Sequence, residues 1–195
     1  MNHLPPDIQN RLKTYHTLLL KWQKSVNLVS NSTLTDSWSR HFIDSAQIAK
    51  FIAKPNPIVV DIGSGGGFPG MVLAIMLDGE FHLIESDQKK CIFLSEVSRE
   101  TKTKVIIHND RVETSSIHSV DVITARACAN VSQLFSWTEK LVSHETKCLF
   151  LKGKNYSIEL DEAKKDWHFD VAIHPSVTES ESAILELKNI RRREK

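Results

Sequence analysis

Apolar positions along this chain change period partway, and the change divides it. From Asp7 to about Lys24, Ile8, Leu12, Tyr15, Leu18, Leu19 and Trp22 recur at helical spacing, which predicts a first helix with that stripe turned into a core. Asn27-Leu28-Val29-Ser30-Asn31-Ser32 interrupts the pattern. A second helix is expected from about Thr35 to Phe51, with Arg40 and Asp44 four apart on one face. Pro55-Asn56-Pro57 stops helix formation and predicts a boundary, with a helical extension over residues 1–54 and a second domain over 55–195.

Beyond Pro57, short apolar runs alternate with helical patterns. Strands are expected at Ile58–Ile62, Glu80–Glu85, Val105–His108, Val120–Ala125, Cys148–Leu151, Phe169–His174 and Ala183–Leu187. Helices are expected at Phe68–Leu77, Gln88–Glu100, Asn130–Val142 and Ser157–Lys164. This alternation predicts an α/β fold, with a mainly parallel sheet covered by helices on both faces. The last two strands have only Pro175 to Ser180 between them and are expected to pair antiparallel at a sheet edge. Glu186, inside the last of them, then reads as an outward charge that guards an edge.

The stretch Ile58-Val59-Val60-Asp61-Ile62-Gly63-Ser64-Gly65-Gly66-Gly67-Phe68-Pro69-Gly70 organises this second part. A β-branched strand runs into a glycine loop and then a helix, which lets a ligand's polar atoms approach at backbone distance. Gly65-x-Gly67-x-x-Gly70 fits the dinucleotide fingerprint, and Glu85 follows where a ribose-binding acid is expected. Asp61 points elsewhere. A carboxylate at the loop disfavours a pyrophosphate and favours a cationic sulfonium with an ammonium group, so S-adenosylmethionine is the better match. Glu85 fixes a nucleoside in either case. A nicotinamide-dependent oxidoreductase and a non-catalytic RNA-binding domain stay open as alternatives.

Composition narrows the classes further. The chain has 195 residues and 41% apolar content, which suits one α/β domain with a small extension. Cys91, Cys128 and Cys148 are scattered, with neither disulfide nor metal spacing, and predict a reducing cytoplasm. The nine histidines form no metal motif, so no metal is expected. Met1-Asn2-His3-Leu4-Pro5-Pro6 lacks the pattern of a signal peptide, and Met71–Leu77 is too short to span a membrane. Net charge is +1, yet residues 1–55 hold seven Lys/Arg against three Asp/Glu, and the chain ends Arg191-Arg192-Arg193-Glu194-Lys195.

The order and spacing of several segments resemble one family over nearly the whole chain. They are Trp22 with Asn27-Leu28, Arg40-His41-x-x-Asp44-Ser45, Asp61 to Gly70, Lys89-Lys90-x-x-Phe93-Leu94, Arg111-Val112-Glu113, Arg126-Ala127 and Leu151-Lys152-Gly153. The chain is similar in these to the ribosomal RNA small subunit methyltransferase G family. The resemblance implies a Rossmann-like class I S-adenosylmethionine-dependent methyltransferase fold with a seven-stranded sheet. It also implies methyl transfer to N7 of a guanine of 16S ribosomal RNA, guanine 527, in the small ribosomal subunit. A cytoplasmic monomer without a membrane or DNA partner is expected.

By the same resemblance Gly63, Phe68, Val112, Glu113 and Arg126 hold the cofactor, joining Asp61, Ser64, Gly65 and Glu85 of the glycine-loop reading. Taken singly, Glu113 also fits a helix-start acid and Arg126 a surface ion pair. Where many members carry an arginine before the last strand, this chain has Glu181-Ser182-Ala183. Guanine N7 carries no proton, so no catalytic base is named and positioning is the enzyme's task. Candidates for RNA contact are Arg40, His41, Lys152 and Lys154, while Trp22 and Trp38 fit packing better than base stacking.

Overall fold

A computed structural model describes residues 4–194; Met1, Asn2, His3 and Lys195, on which part of the N-terminal reading falls, lie outside the described residues. The first helix, α1 (Pro6–Trp22), starts with Pro6 in its first turn, where a missing N–H costs nothing, and buries Leu12, Tyr15 and Leu19. The expected second helix is not one helix. Residues 31–51 form a 3-10 segment (Asn31–Asp36), a π-helical turn (Trp38–Ile43), a single α-turn called α2 (Asp44–Ala46) and a second 3-10 segment (Gln47–Phe51). Arg40 and Asp44 consequently do not pair with each other. Widened turns of this kind recur at functional sites, because they leave backbone carbonyls aimed at new partners.

The remaining elements are β1 (Ile58–Ile62), α3 (Gly70–Met76), β2 (Glu80–Ile84), α4 (Gln88–Thr101), β3 (Ile106–His108), β4 (Val122–Arg126), α5 (Val131–Thr138), β5 (Lys147–Lys152), α6 (Tyr156–Asp166), β6 (Trp167–Pro175) and β7 (Ala183–Arg192). They form one seven-stranded sheet in the order β3-β2-β1-β4-β5-β7-β6. The first five strands are parallel, and β7 inserts antiparallel between β5 and β6. Glu186 is therefore interior to the sheet and guards no edge. It sits between Lys147 at 3.1 Å and His174 at 3.0 Å, which answers its charge. The edge is β6.

Helix α3 begins at Gly70, two residues later than the pattern predicts, because Gly63–Pro69 is used up in turning. On one sheet face, Tyr15, Leu19, Phe42, Phe68, Met71, Phe93 and Leu94 share a core, so α1 and the broken segment pack on the glycine loop and α4. Trp38 stacks on Phe42 and Trp22 lies against Phe93, both as packing.

Candidate active site

The parallel strands end together, at Ile62, Ile84, His108, Arg126 and Lys152, and the chain leaves β1 and β4 toward opposite faces. That divergence opens a crevice beyond the strand ends, the position where ligands of open α/β sheets bind. A cleft of about 1390 Å³ lies there. Its lining includes Gly63, Ser64, Gly65, Phe68, Glu85, Val112, Glu113 and Arg126, together with Arg40, His41 and Lys152. Asp61 and Lys154 are not part of the wall.

The loop from Gly63 to Pro69 is tightly turned, with Gly67 N–H donating to the Ser64 carbonyl at 2.6 Å. Gly67 has φ +90°, and a Cβ there would collide with the Tyr15 hydroxyl and with Met71 Cβ at 2.9 Å. At Gly70 a Cβ would meet Asp61 Cβ and Leu83 Cδ2, both at 2.5 Å. These two positions take glycine because helix and strand approach each other at backbone distance. From the other side, the Tyr15 hydroxyl donates to the Gly66 carbonyl, and its ring stacks on Phe68 with centroids 5.3 Å apart. Sequence periodicity places Tyr15 only in a core stripe; its polar tip is a support of the loop.

Glu85, at the end of β2, accepts from Gly65 N–H on Oε2 and from Asp87 N–H on Oε1, each at 2.8 Å. Both bonds hold the carboxylate still, each oxygen keeps acceptor capacity, and Glu85 lines the cleft, as binding a ribose diol requires. Asp61 differs from its expected place. Its carboxylate is 0% exposed, beneath the loop and not on the cleft wall. Thr124 Oγ1 donates to Oδ1 at 2.6 Å, whereas Oδ2 closes no hydrogen bond. Burial pushes its pKa up to about 6, against hydrogen bonding from Thr124, Ser64 and the Gly70 N–H and the charge of Arg126. A buried carboxylate with an unanswered oxygen is a standing demand for positive charge nearby.

Arg126, at the end of β4, donates to the Arg40 carbonyl at 2.9 Å, lies 3.7 Å from the Asp44 carboxylate and covers the Phe68 ring at 4.8 Å. The π-turn thus turns a backbone carbonyl onto the arginine, and in place of a surface ion pair Arg126 makes a half-buried one with Asp44. Arg40 itself pairs with Glu179, from the turn between β6 and β7. Thr178 and Ser176 of that turn also hydrogen-bond Asp44 Oδ1.

Two RNA-contact candidates have inward partners instead. His41 is buried, and its Nε2 bonds Thr33 Oγ1 at 2.8 Å. Burial, with Arg126 and Arg40 nearby, lowers its pKa to about 3, so the imidazole is neutral at physiological pH. Lys152 is buried as well; its Nζ lies 2.6 Å from Glu159 Oε2 and donates to the Ala129 carbonyl at 2.5 Å. Glu159 also caps the Val131 N–H. Lys152 consequently braces residues 127–130, where Ala127 has a positive φ of 53°, a strained conformation that needs such support. Lys154 is exposed beyond β5. Lys90 and Arg111, present in the segments that carry the resemblance but given no role there, line the cleft and make no ion pair among the described residues.

A sheet of this order, with an antiparallel β7 and a glycine loop facing an acidic β2 end, defines a class I S-adenosylmethionine-dependent methyltransferase. Solved structures agree on the fold. A methyltransferase from Aquifex aeolicus superimposes with a TM-score of 0.61 at 13% identity, covering 78% of this chain and 92% of that one. The MtNAS complex with S-adenosylmethionine gives 0.63 at 15%, covering 92% and 75%. A family model described as rRNA small subunit methyltransferase G matches residues 8–188. The chain is 42% identical over 187 residues to the ribosomal RNA small subunit methyltransferase G of Parvibaculum lavamentivorans, covering 93% of this chain and 83% of that one. To that of Gluconobacter oxydans it is 40% identical over 192 residues, covering 98% and 99%. The chain belongs to the ribosomal RNA small subunit methyltransferase G family.

Proposed function

We propose that the protein methylates N7 of one guanine in 16S ribosomal RNA, guanine 527, acting as a cytoplasmic monomer. The observation that carries this reading beyond the family is that Glu85, Lys152 and the Nε2 of His41 are already committed to partners within the protein. Glu85 holds two backbone N–H groups, Lys152 is locked to Glu159, and His41 is neutral and bonded to Thr33. Such a cleft positions a substrate and does not strip it of a proton. Guanine N7 has no proton to lose and attacks through an in-plane lone pair, so orientation carries the rate.

S-adenosylmethionine supplies an electrophilic methyl on a sulfonium. Gly63, Ser64, Gly65 and Phe68 would face it from the loop, Glu85 would take the ribose, and Val112 and Glu113 would flank the adenine. The unanswered charge of Asp61 would act through the loop on the cationic end, and Arg126 would fix the far wall. Arg40 and Lys154 would meet phosphates at the rim, with Lys90 and Arg111. In this reading residues 1–54 supply the substrate-side wall and residues 55–195 hold the cofactor.

The test is methyl transfer from labelled S-adenosylmethionine to 30S subunits and to naked 16S RNA from cells lacking the activity, with the modified base mapped by N7-methylguanine cleavage. One labelled guanine is expected; label at another atom, or in neither RNA, overturns the proposal.

A further inference from the structure

Gln23 caps the end of α1, and the chain that follows wraps around its side-chain amide. Its Oε1 accepts from the backbone N–H groups of Leu28 at 2.9 Å and Val29 at 3.1 Å, and its Nε2 donates to the Val29 carbonyl at 2.8 Å. Backbone groups have fixed donor and acceptor character, so these bonds settle which end of the amide is oxygen and which nitrogen. The second hydrogen on Nε2 needs an acceptor. It finds Asn31 Oδ1 at 3.0 Å, with Asn27 Oδ1 more distant at 3.4 Å. The Asn31 amide is thereby oriented too: its oxygen belongs to Gln23, and its two Nδ2 hydrogens are what remain for the cleft that Asn31 lines.

The loop carrying Asn31 is tied to the cofactor side. Leu28 and Val29 are buried in the same core as Phe68, and the Leu28 carbonyl is close enough to Gly66 that a Cβ there would meet it at 3.2 Å. Thr33 donates to the Ser30 carbonyl at 2.7 Å, fixing the far end. Asn31 is therefore an exposed donor on a rigid wall that packs against the glycine loop.

We propose that Asn31, oriented by Gln23, selects the substrate base by donating from Nδ2 to guanine O6. This rests on the guanine reading of the preceding section. O6 neighbours N7 on the same edge of the base, so a donor at O6 orients the ring while leaving N7 open to the methyl. Adenine presents an amino group at that position and would set donor against donor. Asn31 is the recognising residue and Gln23 a positioning residue. A site built to hydrogen-bond a substrate rejects the analogue that lacks the partner atom, because its own donor is left unpaired.

Two small-subunit RNAs made by splinted ligation, with guanine or 2-aminopurine at the target position, test this. 2-Aminopurine keeps N7 and the 2-amino group and lacks O6. For the unaltered protein, kcat/KM is expected to fall by about 10- to 100-fold on the analogue. Asn31→Asp is expected to show that loss already on guanine and no further loss on 2-aminopurine, with affinity for S-adenosylmethionine unchanged by calorimetry. Gln23→Glu, which removes the donor that orients Asn31 and keeps the side-chain shape, is expected to shrink the guanine-to-analogue ratio in the same way. A general loosening of the fold would lower both rates and leave the ratio. An unaltered protein that methylates both RNAs equally, or an Asn31→Asp variant that keeps the original ratio, overturns this inference alone. An unaltered protein that methylates neither RNA overturns the guanine reading and the inference with it.

Discussion

The hydroxyl of Tyr15 and the carbonyl of Gly66 join α1 to the glycine loop in a single buried hydrogen bond. Tyr15 is 0% exposed, so a Tyr15→Phe variant leaves that carbonyl without a partner and without water. The expected cost is about 1–3 kcal/mol of stability, and the loop loses its support from behind. Urea denaturation reads the first effect, and a weaker calorimetric affinity for S-adenosylmethionine reads the second; a variant that is destabilised with unaltered affinity would confine Tyr15 to packing.

Gly65 separates charge from bulk. It has φ +54°, a conformation that Asn and Asp tolerate, and a Cβ there meets nothing nearer than the Gly63 carbonyl at 3.7 Å. Gly65→Asp brings a second carboxylate beside Glu85, whose Oε2 already holds the Gly65 N–H. Cofactor binding is expected to be lost in Gly65→Asp and largely kept in Gly65→Asn. Equal loss in both would make bulk, and not charge, the cause.

Lys152 is expected to matter for stability before it matters for RNA. Lys152→Met leaves the Glu159 carboxylate without its ammonium and the Ala129 carbonyl without its donor, at a cost of about 3 kcal/mol. Adding Glu159→Gln is expected to recover part of that loss. Chemical denaturation of the single and double variants measures the coupling, and additive losses would remove the pair from the argument.

Cofactor affinity is expected to depend on pH through Asp61. Its pKa in the folded chain is about 6 against an ordinary 3.8, so the folded state holds the proton more tightly than the unfolded one. Its contribution to stability is complete below the ordinary value and is lost as pH rises through about 6. A cationic cofactor favours the ionised form, so affinity is expected to strengthen from pH 5 to 7.5. In Asp61→Asn that rise should flatten, while the variant's thermal stability without cofactor, relative to the unaltered protein, should improve over the same range. His41 titrates near 3 and takes no part in this window.

The sheet and the glycine loop were legible because each strand is a β-branched or apolar run bounded by turn residues, a signal that depends only on neighbours in sequence. Residues 31–51 were not, since their apolar spacing suits a helix while contacts from Arg126, Glu179 and Thr178 widen and break it. The same limit hid the partner of Lys152, Glu159, which lies on the next helix, and misplaced Glu186, whose strand enters the sheet where spacing suggested an edge. Tyr15 was found by its ring and missed by its hydroxyl. Gln23 left no periodic mark, because a side chain that bonds backbone groups obeys no spacing rule.

The turn between β6 and β7 meets the π-turn through Arg40 with Glu179 and Asp44 with Thr178, so the rim of the cleft is stitched from opposite ends of the chain. While the polypeptide is still being translated, Arg40 and Asp44 have emerged long before their partners exist, and β5 lacks the strand that covers its open side. The binding site closes only once Thr178, Glu179 and the strand β7 have been made. No shortened product of the gene, whether from premature termination or proteolysis ahead of β7, retains a complete rim.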